Sequence, residues 1–585
     1  MPNSEFFVKF FDVLPNKNKM CDKLKHNITK NGGNSRWFYI NCKGDYCMAK
    51  RIFLFFFCAT LIMTSFSGCQ KNKNSPENQV IKYNLESEPR TLDPQVCSDY
   101  AANIVIMNIF EGLVRLDESG NATPGVAKSW DVSADGMTYT FHLREDAAWS
   151  DKAKTPVTAQ DFVFGLQRAL DKYTNSPKAY TLYCIKNARK INIEGAPADS
   201  LGVSAPDLHT VVIELEYPME NFLYLLATAP TMPCNKDFFE GANGQYGLES
   251  ATIISNGAFK VKLRYGWNHY NSLSLARNEN YIGENLPVPA GVDFTIGKDL
   301  TNAVSLITTS AIDVALMPSE DQVTEAKRKN LATEAFKDTL WGITFNTQDT
   351  LFANLSVRVG FLKALNREHI LSTIPENCVV TESLVPDGLI INGQEYRSIA
   401  GKCPCISADP KAKSHFDAGL QQLKLKILPK VTILCPENPS VKAIMSNIIE
   451  NLNGNLDFYF NMEPVPEDIL KSRVVSMSYQ VALVPISVES PFALDFLNTF
   501  KSENSKNIAS LNSPEYDKLI NIAVSANAKD ACKPIVAAEK YLVENAVFYP
   551  MYMQSRFFAW SNKVKGLIFH KYGQGVDFFF ATKRK

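Results

Sequence analysis

The sequence predicts a mixed α/β protein built from two or three lobes. Strand-like and helix-like hydrophobic patterns alternate along most of the 585-residue chain, and they follow no fixed repeat period. The 517 residues that follow Gly68 are too many for a single hydrophobic core. These observations favour an α/β or α+β architecture and argue against a solenoid or an all-β sandwich.

The strand predictions rest on alternation of apolar and polar residues. The first strand is predicted at Val80–Leu85. Over 138–143, the apolar residues Tyr139, Phe141 and Leu143 alternate with polar ones and follow the turn pair at 135–136, which is typical of a half-buried hairpin strand. Further strands are predicted at 210–215, 259–263 and 341–345.

The helix predictions rest on capping residues and on 3.6-residue periodicity. Thr158 is a good N-cap with Asp161 three residues on, and Phe162 and Leu166 then fall on one face. One later helix is predicted over 357–371. Another is predicted over 514–523, after the cap Ser513.

Residues 48–69 have the pattern of a bacterial lipoprotein signal. A basic start at Lys50 and Arg51 precedes a short apolar run, and small residues stand directly before Cys69. The run is about a dozen residues long, whereas a membrane-spanning helix needs roughly 20. We therefore expect cleavage after residue 68 and lipid on Cys69, with a buried helix as the weaker alternative.

The segments that flank this signal are not expected to belong to the fold. Residues 69–79 are polar and predict a tether, and residues 1–47 are treated as a non-native or disordered extension. The chain has 61 basic and 61 acidic residues, of which 51 and 57 follow residue 68. Because no basic patch stands out, we expect no nucleic-acid partner.

The sequence contains none of the common catalytic or nucleotide-binding motifs. There is no GxSxG, HExxH, GxxxxGK[ST] or GxGxxG pattern, and the histidines are scattered singly. The Cys403-Pro404-Cys405 segment lacks zinc-site spacing, so a structural or disulfide role is favoured there. We expect no catalytic residue, metal or cofactor, although distant carboxylates leave an enzyme as the least favoured alternative.

Several recognisable motifs follow one another along the chain. The first are Leu92-Asp93-Pro94, Phe110-Glu111-Gly112-Leu113, PGVAKSWDVSADGMTYTFHLREDAAWSD at 124–151 and VTAQDFVF at 157–164. Later ones are SNGAFKVK at 255–262, ITFNTQ at 343–348, VRVGFLKALNREHIL at 357–371, DFLNTF at 495–500 and SPEYDKLI at 513–520. In residues and in order, these motifs closely resemble those of the oligopeptide-binding proteins of bacterial ABC importers. These proteins belong to solute-binding protein family 5, of the peptide- and nickel-binding type.

The resemblance implies a two-lobed periplasmic-binding-protein fold of the class II type, with an extra subdomain inserted in the first lobe. The implied ranges are 80–110, 236–339 and 557–585 for lobe I, 111–235 for the inserted subdomain and 340–556 for lobe II. It also implies a non-enzymatic, monomeric, periplasmic protein, anchored to the cell membrane by lipid on Cys69. Such a protein captures oligopeptides in the interlobe cleft and delivers them to an ABC permease in the inner membrane.

The resemblance assigns the charged ends of a peptide to two residues of this chain. Glu489 corresponds to the acidic residue that faces the peptide amine, where the best-known members have Asp. Arg473 corresponds to the first of two arginines that meet the peptide carboxylate, for which a planar guanidinium is well suited. Ser487 lies in the same stretch as Glu489. For both charged residues, the alternative is a solvent-facing charge without a ligand.

Other site positions depart from the family pattern. The place of the second arginine falls near Leu483, and Pro485 replaces a glycine. Lys178 stands where relatives have a tyrosine, with Tyr180 two residues on. The facing segment of the first lobe corresponds to Ser98, Asp99 and Tyr100.

These departures leave the ligand class open. Because they cluster at the site, we expect a ligand set that differs from that of the general peptide binders. The alternatives are a murein peptide, a dipeptide, or a nickel or haem complex in the same fold, and a non-transport surface role such as adhesion.

Overall fold

The computed structural model describes residues 79–584 except 284, 298, 376, 426–428, 505, 526–527 and 574. The predicted extension, signal segment and lipid site at Cys69 lie outside the described residues, as does the tether as far as residue 78. Among the helices of the described part, none is both long enough and apolar enough to cross a membrane.

Strands and helices alternate through the described chain. The strands are β1 Val80–Leu85, β2 Val114–Leu116, β3 Ala122–Pro124, β4 Ala127–Val132, β5 Thr138–Leu143, β6 Val203–Asp207, β7 Thr210–Glu214, β8 Phe259–Val261, β9 Trp267–Asn268, β10 Ser272–Arg277, β11 Gly291–Ile296, β12 Val314–Leu316, β13 Ala332–Phe345, β14 Cys378–Val380, β15 Ile390–Ile391, β16 Gln394–Glu395, β17 Val431–Pro436, β18 Phe460–Val465, β19 Val481–Ser487, β20 Phe548–Trp560, β21 Val564–Lys565, β22 Ile568–His570, β23 Gly575–Asp577 and β24 Thr582–Lys583. The α-helices are α1 Tyr100–Ile109, α2 Ala159–Leu170, α3 Phe222–Leu225, α4 Lys236–Gly241, α5 Ala303–Thr308, α6 Glu320–Arg328, α7 Leu355–Lys363, α8 Arg367–Leu371, α9 Tyr396–Ala400, α10 Ala412–Gln422, α11 Pro439–Leu456, α12 Glu467–Val475, α13 Ala493–Asn498, α14 Pro514–Ser525 and α15 Ala528–Glu544.

A mixed sheet of twelve strands runs through both lobes of the described chain. Its main order is β18-β17-β19-β13-β20-β12-β1-β11-β10-β8, with β14 beside β20 and β9 beside β10. The two longest strands, β13 and β20, pair antiparallel from Ala332 opposite Trp560 to Thr344 opposite Phe548. One end of this pair adjoins β12 and the other adjoins β19, so these two strands connect the lobes.

The hydrophobic cores separate along the same division. One large core takes its buried residues from 81–296, from Val314 and from 558–581. A smaller core combines other residues of 300–326 with Phe557 and Ala559, and these two cores define the first lobe. Two further cores lie within 340–553 and define the second lobe. The predicted residue bounds of the lobes and of the inserted subdomain stay a prediction.

A buried charge pair marks the point where β13 passes between the lobes. The register of β13 shifts between Lys337 and Thr339, and Asp338 stands at the irregularity. The Asp338 carboxylate, almost fully buried, accepts a hydrogen bond from Arg556 on β20. The Arg556 guanidinium lies 4.6 Å from the ring centroid of Tyr100 at the start of α1. The irregular register and the polar cluster therefore coincide at the point where β13 passes from one lobe to the other.

The helix predicted after the cap Thr158 is confirmed as α2, Ala159–Leu170, together with its cap. Thr158 and Asp161 form a capping box, in which the Thr158 N–H donates to Asp161 Oδ2 at 2.7 Å. Phe162 and Leu166 face the core of the first lobe and are buried. Burial raises the pKa of Asp161 to about 6, although its hydrogen bonds from Thr158 and Trp149 oppose that rise.

A second buried ion pair joins α2 to the chain that follows β1. Arg168 donates to both carboxylate oxygens of Asp93, at 2.7 and 3.3 Å, and to Gln95 Oε1 at 2.7 Å. Arg168 and Asp93 are 8% and 4% exposed, and the guanidinium lies 3.8 Å from the ring centroid of Phe239. The aspartate of the Leu92-Asp93-Pro94 motif is therefore a structural anchor between two segments of the first lobe.

The single helix predicted over 357–371 is wrong, because the chain forms two helices there. The first ends at Lys363 and the second begins at Arg367. Asn366 caps the second helix by accepting a hydrogen bond from the His369 N–H at 3.2 Å. Because an asparagine side chain can accept a hydrogen bond from a nearby backbone N–H, it favours the start of a new helix over the interior of a continuous one.

Candidate functional site: the interlobe cleft

A large cavity of about 1320 Å³ lies between the two lobes. Drug-sized ligands usually occupy roughly 300–1,000 Å³, so this space suits a ligand of several residues. Aromatic and aliphatic side chains from both lobes line it, namely Tyr139, Tyr180, Tyr217, Met219 and Tyr224 from the first lobe and Ile390, Val484, Ile486, Phe492 and Leu494 from the second. Tyr139, which was expected to be a core or hairpin residue, is both buried in the core and part of this wall.

One wall of the cavity is the end of β19. This strand pairs with β13 along 481–487, but it pairs with β17 only at Val481 and Ala482. Residues 484–487 line the cavity, so within the described chain their second edge has no strand partner. An unpaired strand edge at a cavity offers N–H and C=O groups to an extended ligand.

Glu489 lies at the cavity, directly after β19. Its carboxylate pairs with Lys506 Nζ at 2.6 Å, and both side chains are partly exposed. Burial raises the pKa of Glu489, but Lys506, Lys178 and Lys471 outweigh this effect and hold that pKa below its ordinary value. Glu489 is therefore an ionised carboxylate among three ammonium groups.

Arg473 does not line the cavity and has a partner within the protein. Its guanidinium donates to Glu463 at 2.6 Å and to the backbone oxygen of Ser478 at 3.0 Å. Helix α12 turns its 467, 470–471 and 474–475 face to the cavity, so a side chain at 473 lies on another face. The cation that α12 contributes to the cavity lining is Lys471. The ligand role of Arg473 stays a prediction.

The other predicted residues divide into two groups. Ser487, Lys178 and Tyr180 line the cavity together with Glu489. Ser98, Asp99 and Tyr100 are not among its lining residues: Ser98 is exposed, and Asp99 caps α1 by accepting from the Ala102 N–H at 2.7 Å. Burial raises the pKa of Tyr100 to about 12, with Arg556 opposing the rise.

Asp495 forms a polar link across the cleft. Its carboxylate accepts a hydrogen bond from Asn221 Nδ2 in the first lobe at 2.7 Å and another from Ser490. Burial raises the pKa of Asp495 to about 6, against the effect of these two hydrogen bonds. This carboxyl therefore titrates in the mildly acidic range.

Further contacts hold the two lobes together around the cavity. Glu220 of the first lobe accepts hydrogen bonds from the backbone N–H groups of Asn392 and Gly393, both at 2.8 Å. Arg189 pairs with Glu503 at 2.8 Å. The rings of Tyr224 and Phe492 meet edge to face, with their centroids 5.9 Å apart. The described conformation is therefore closed around the cleft.

The close approach of the lobes also involves a glycine. Gly573 of the first lobe has φ +66°, and a Cβ at this position would lie 3.0 Å from the backbone oxygen of Glu489. The Gly573 carbonyl accepts a hydrogen bond from Asn103 at 2.7 Å. A residue with a side chain would be strained there and would press on the opposite lobe.

Comparison with known families identifies the chain. Residues 121–507 match the model of the bacterial extracellular solute-binding proteins, family 5. The chain belongs to this family. Its members are solute-binding, non-enzymatic components of transport, and the predicted family and fold class are confirmed.

Similar proteins of this family match almost the whole described chain. A dipeptide-binding protein of Bacillus subtilis is 26% identical over 518 residues, which cover 88% of this chain and 93% of the relative. The substrate-binding domain of an oligopeptide ABC transporter from Bacillus anthracis superposes with a TM-score of 0.75 at 25% identity, covering 87% of this chain and 99% of that domain.

Two structures of a murein tripeptide-binding protein bear on the conformation. The structure of the Escherichia coli protein gives a TM-score of 0.72 at 25% identity, over 87% of this chain and 99% of that one. The unliganded open form of a murein tripeptide-binding protein gives a TM-score of 0.63 at 25% identity, over 86% of this chain and 97% of that one. The present arrangement of lobes is thus less similar to that open form.

Several residues that the structure brings to the cleft were not predicted from the sequence. They are Lys471, Lys506, Asp495, Asn221 and Glu220. The position of Lys471 could have been predicted from the apolar residues Leu470 and Val474, which are buried and lie on the same face of α12. No local pattern connects Lys506 to Glu489, which lies 17 residues earlier.

Two observations concern metals and thiols. Within the residues described, no group of three or more histidine, cysteine, aspartate or glutamate side chains is arranged to hold a metal ion. The eight described cysteines are free thiols, including both members of the Cys403-Pro404-Cys405 segment.

Proposed function

We propose that this chain is a lipid-anchored, monomeric binding protein outside the cytoplasm that captures short peptides and delivers them to an ABC importer. The observation that carries the proposal is the interlobe cavity of about 1320 Å³ bordered by the unpaired edge of β19. The dipeptide-binding and oligopeptide-transporter relatives support peptides as the ligand class.

The geometry of the cavity supports an extended peptide as the ligand. A peptide that adds to a free strand edge gains affinity from main-chain hydrogen bonds, which do not depend on its side chains. The edge at 484–487 gives such a position, although Pro485 has no N–H to contribute. The wide aromatic and aliphatic walls then accept side chains of different sizes.

The contacts between the lobes support capture by closure. A ligand that touches both lobes binds the closed state better than the open one and shifts the population toward it. In the closed state, Glu220, Asn221 and Arg189 also contact the second lobe, and these contacts stabilise closure together with those of the ligand. Closure and ligand binding are therefore coupled in this proposal.

The proposed anchor rests on the signal-like segment 48–68 and on Cys69. Lipid on this cysteine would anchor the protein to the cell membrane, in the periplasm and near its permease. Tethering raises the effective concentration of a binding protein near its partner without any new contact.

Native mass spectrometry of the mildly purified protein tests the ligand class. We expect an added mass that fits a peptide of about three to five residues and disappears on denaturation. A murein peptide would be recognised by its amino sugar or diamino acid, and a nickel or haem complex by its isotope pattern or absorption. Finding a metal or haem complex as the bound species would contradict the peptide proposal.

A further inference from the structure

Some charged side chains of the cleft have a hydrogen-bond or ion-pair partner within the protein, and others have none among the described residues. Glu489 is paired with Lys506 at 2.6 Å, and Glu220 and Asp495 accept hydrogen bonds from the opposite lobe. In contrast, the ammonium groups of Lys178 and Lys471 line the cavity without a hydrogen bond or ion pair to any described residue. The cleft therefore has two available cations, Lys178 and Lys471, and its carboxylate at Glu489 is already engaged. The carboxylate of Glu467, one helical turn before Lys471, also lines the cavity and has no ion pair with a described residue.

The two available cations come from opposite lobes. Lys178 precedes the short 3-10 helix Ala179–Leu182 in the first lobe, and Lys471 lies on the inward face of α12 in the second. Both line the same cavity as Glu489. An anion between them would contact both lobes, and would therefore favour the closed state.

A ligand charge that displaces an ion pair of the protein gains less affinity than one that forms a new ion pair. A ligand ammonium that approaches Glu489 must displace Lys506, so one ion pair is broken for each one formed. A ligand carboxylate that meets Lys178 and Lys471 forms charge-assisted hydrogen bonds without breaking any within the protein. At these positions a ligand carboxylate adds charge pairs, whereas a ligand amine at Glu489 only exchanges one pair for another.

We infer that this cleft selects peptides through a carboxylate held between Lys178 and Lys471, and that it does not require a free ligand amine because Lys506 already occupies the place of that amine at Glu489. The inference rests on the proposed peptide-binding function. The ligand class is a short anionic peptide with a free or an acylated amino end. The carboxylate belongs either to an acidic side chain or to the peptide's carboxyl end.

Calorimetric titration of the full chain with five tripeptides tests this inference. The probes are Ala-Glu-Ala, its N-acetyl form, Ala-Gln-Ala, the C-terminal amide of Ala-Glu-Ala and the amide of Ala-Gln-Ala. We expect acetylation to change the dissociation constant less than threefold, and removal of both carboxylates to raise it at least tenfold. The two singly neutralised peptides show which carboxylate is used.

Variants of the three lysines complete the test. In the double variant Lys178→Met, Lys471→Met, the penalty for removing the carboxylates should fall below threefold. In Lys506→Met, Glu489 is freed, and the free-amine peptide should bind at least tenfold more tightly than the acetylated one. Lys172→Met, a lysine of the same lobe outside the cavity lining, should behave as the unmodified protein does.

The outcomes separate this inference from the proposed function. A tenfold loss on acetylation in the unmodified protein, or a carboxylate penalty that persists in the double variant, would overturn the inference while peptide binding stands. Failure of all five peptides to bind the unmodified protein would overturn this inference, and failure of every tri- to pentapeptide would overturn the proposed function as well.

Discussion

Replacing Arg168 with methionine is expected to lower the free energy of unfolding by about 3–5 kcal/mol. The substitution leaves the Asp93 carboxylate, 4% exposed, without its main counter-charge and removes the hydrogen bond to Gln95. It also removes the guanidinium from the ring of Phe239. Denaturant unfolding followed by tryptophan fluorescence and by circular dichroism measures the change.

Two controls separate the buried pair from a general effect of losing a charge. Lys236→Met removes a cation paired with Glu240 at 3.8 Å, where both side chains are about 60% exposed, and should change stability by less than about 1 kcal/mol. The double variant Arg168→Met, Asp93→Asn should recover part of the loss because no unpaired buried charge remains. A loss below about 1 kcal/mol in Arg168→Met would contradict this role.

Replacing Gly573 with valine is expected to raise the dissociation constant for peptide more than tenfold. The first side-chain atom alone would lie 3.0 Å from the Glu489 carbonyl oxygen of the opposite lobe, and valine adds two methyl groups beyond it. The lobes cannot then approach fully, so the ligand loses contacts on one side. Calorimetry gives the affinity, and small-angle scattering gives the degree of closure.

The matched control for this variant is Gly120→Val. Gly120 also has a positive φ, +83°, but a Cβ there meets no atom within 4 Å. The control therefore carries similar backbone strain without contact between the lobes, and its peptide affinity should stay within about twofold of the unmodified protein. Equal affinities for the two variants would show that strain and not closure explains any loss.

The architecture was largely predictable because its signals are local or carried by motifs. The predicted strand Val80–Leu85 is observed with the same bounds, and the capping box at Thr158 starts the expected helix. The long pairing of β13 with β20 was not predictable, because its partners lie more than 200 residues apart. The break near Asn366 was missed, since an apolar helical pattern outweighed one capping residue.

The cleft was predictable only in part. The motif that contains Phe496 placed Glu489 correctly at the cavity, and Lys178, Tyr180 and Ser487 also line it. Their roles toward a ligand stay predictions. The family motif located helix α12 in the sequence, but it did not show which face of that helix is turned toward the cavity. Lys471 lies on this face, whereas Arg473, two residues later, does not.

Peptides are expected to bind between the lobes, and their binding is expected to be coupled to closure. Titration of the purified chain with tri- to pentapeptides, by calorimetry and by small-angle scattering on the same samples, tests it most directly. We predict saturable binding, in the micromolar range or about −8 kcal/mol, for at least one peptide, with a smaller radius of gyration at saturation. A hundredfold excess of that peptide over its dissociation constant should stabilise the fold by about 2.7 kcal/mol. No binding heat and no change in scattering with any peptide of the set would contradict the claim.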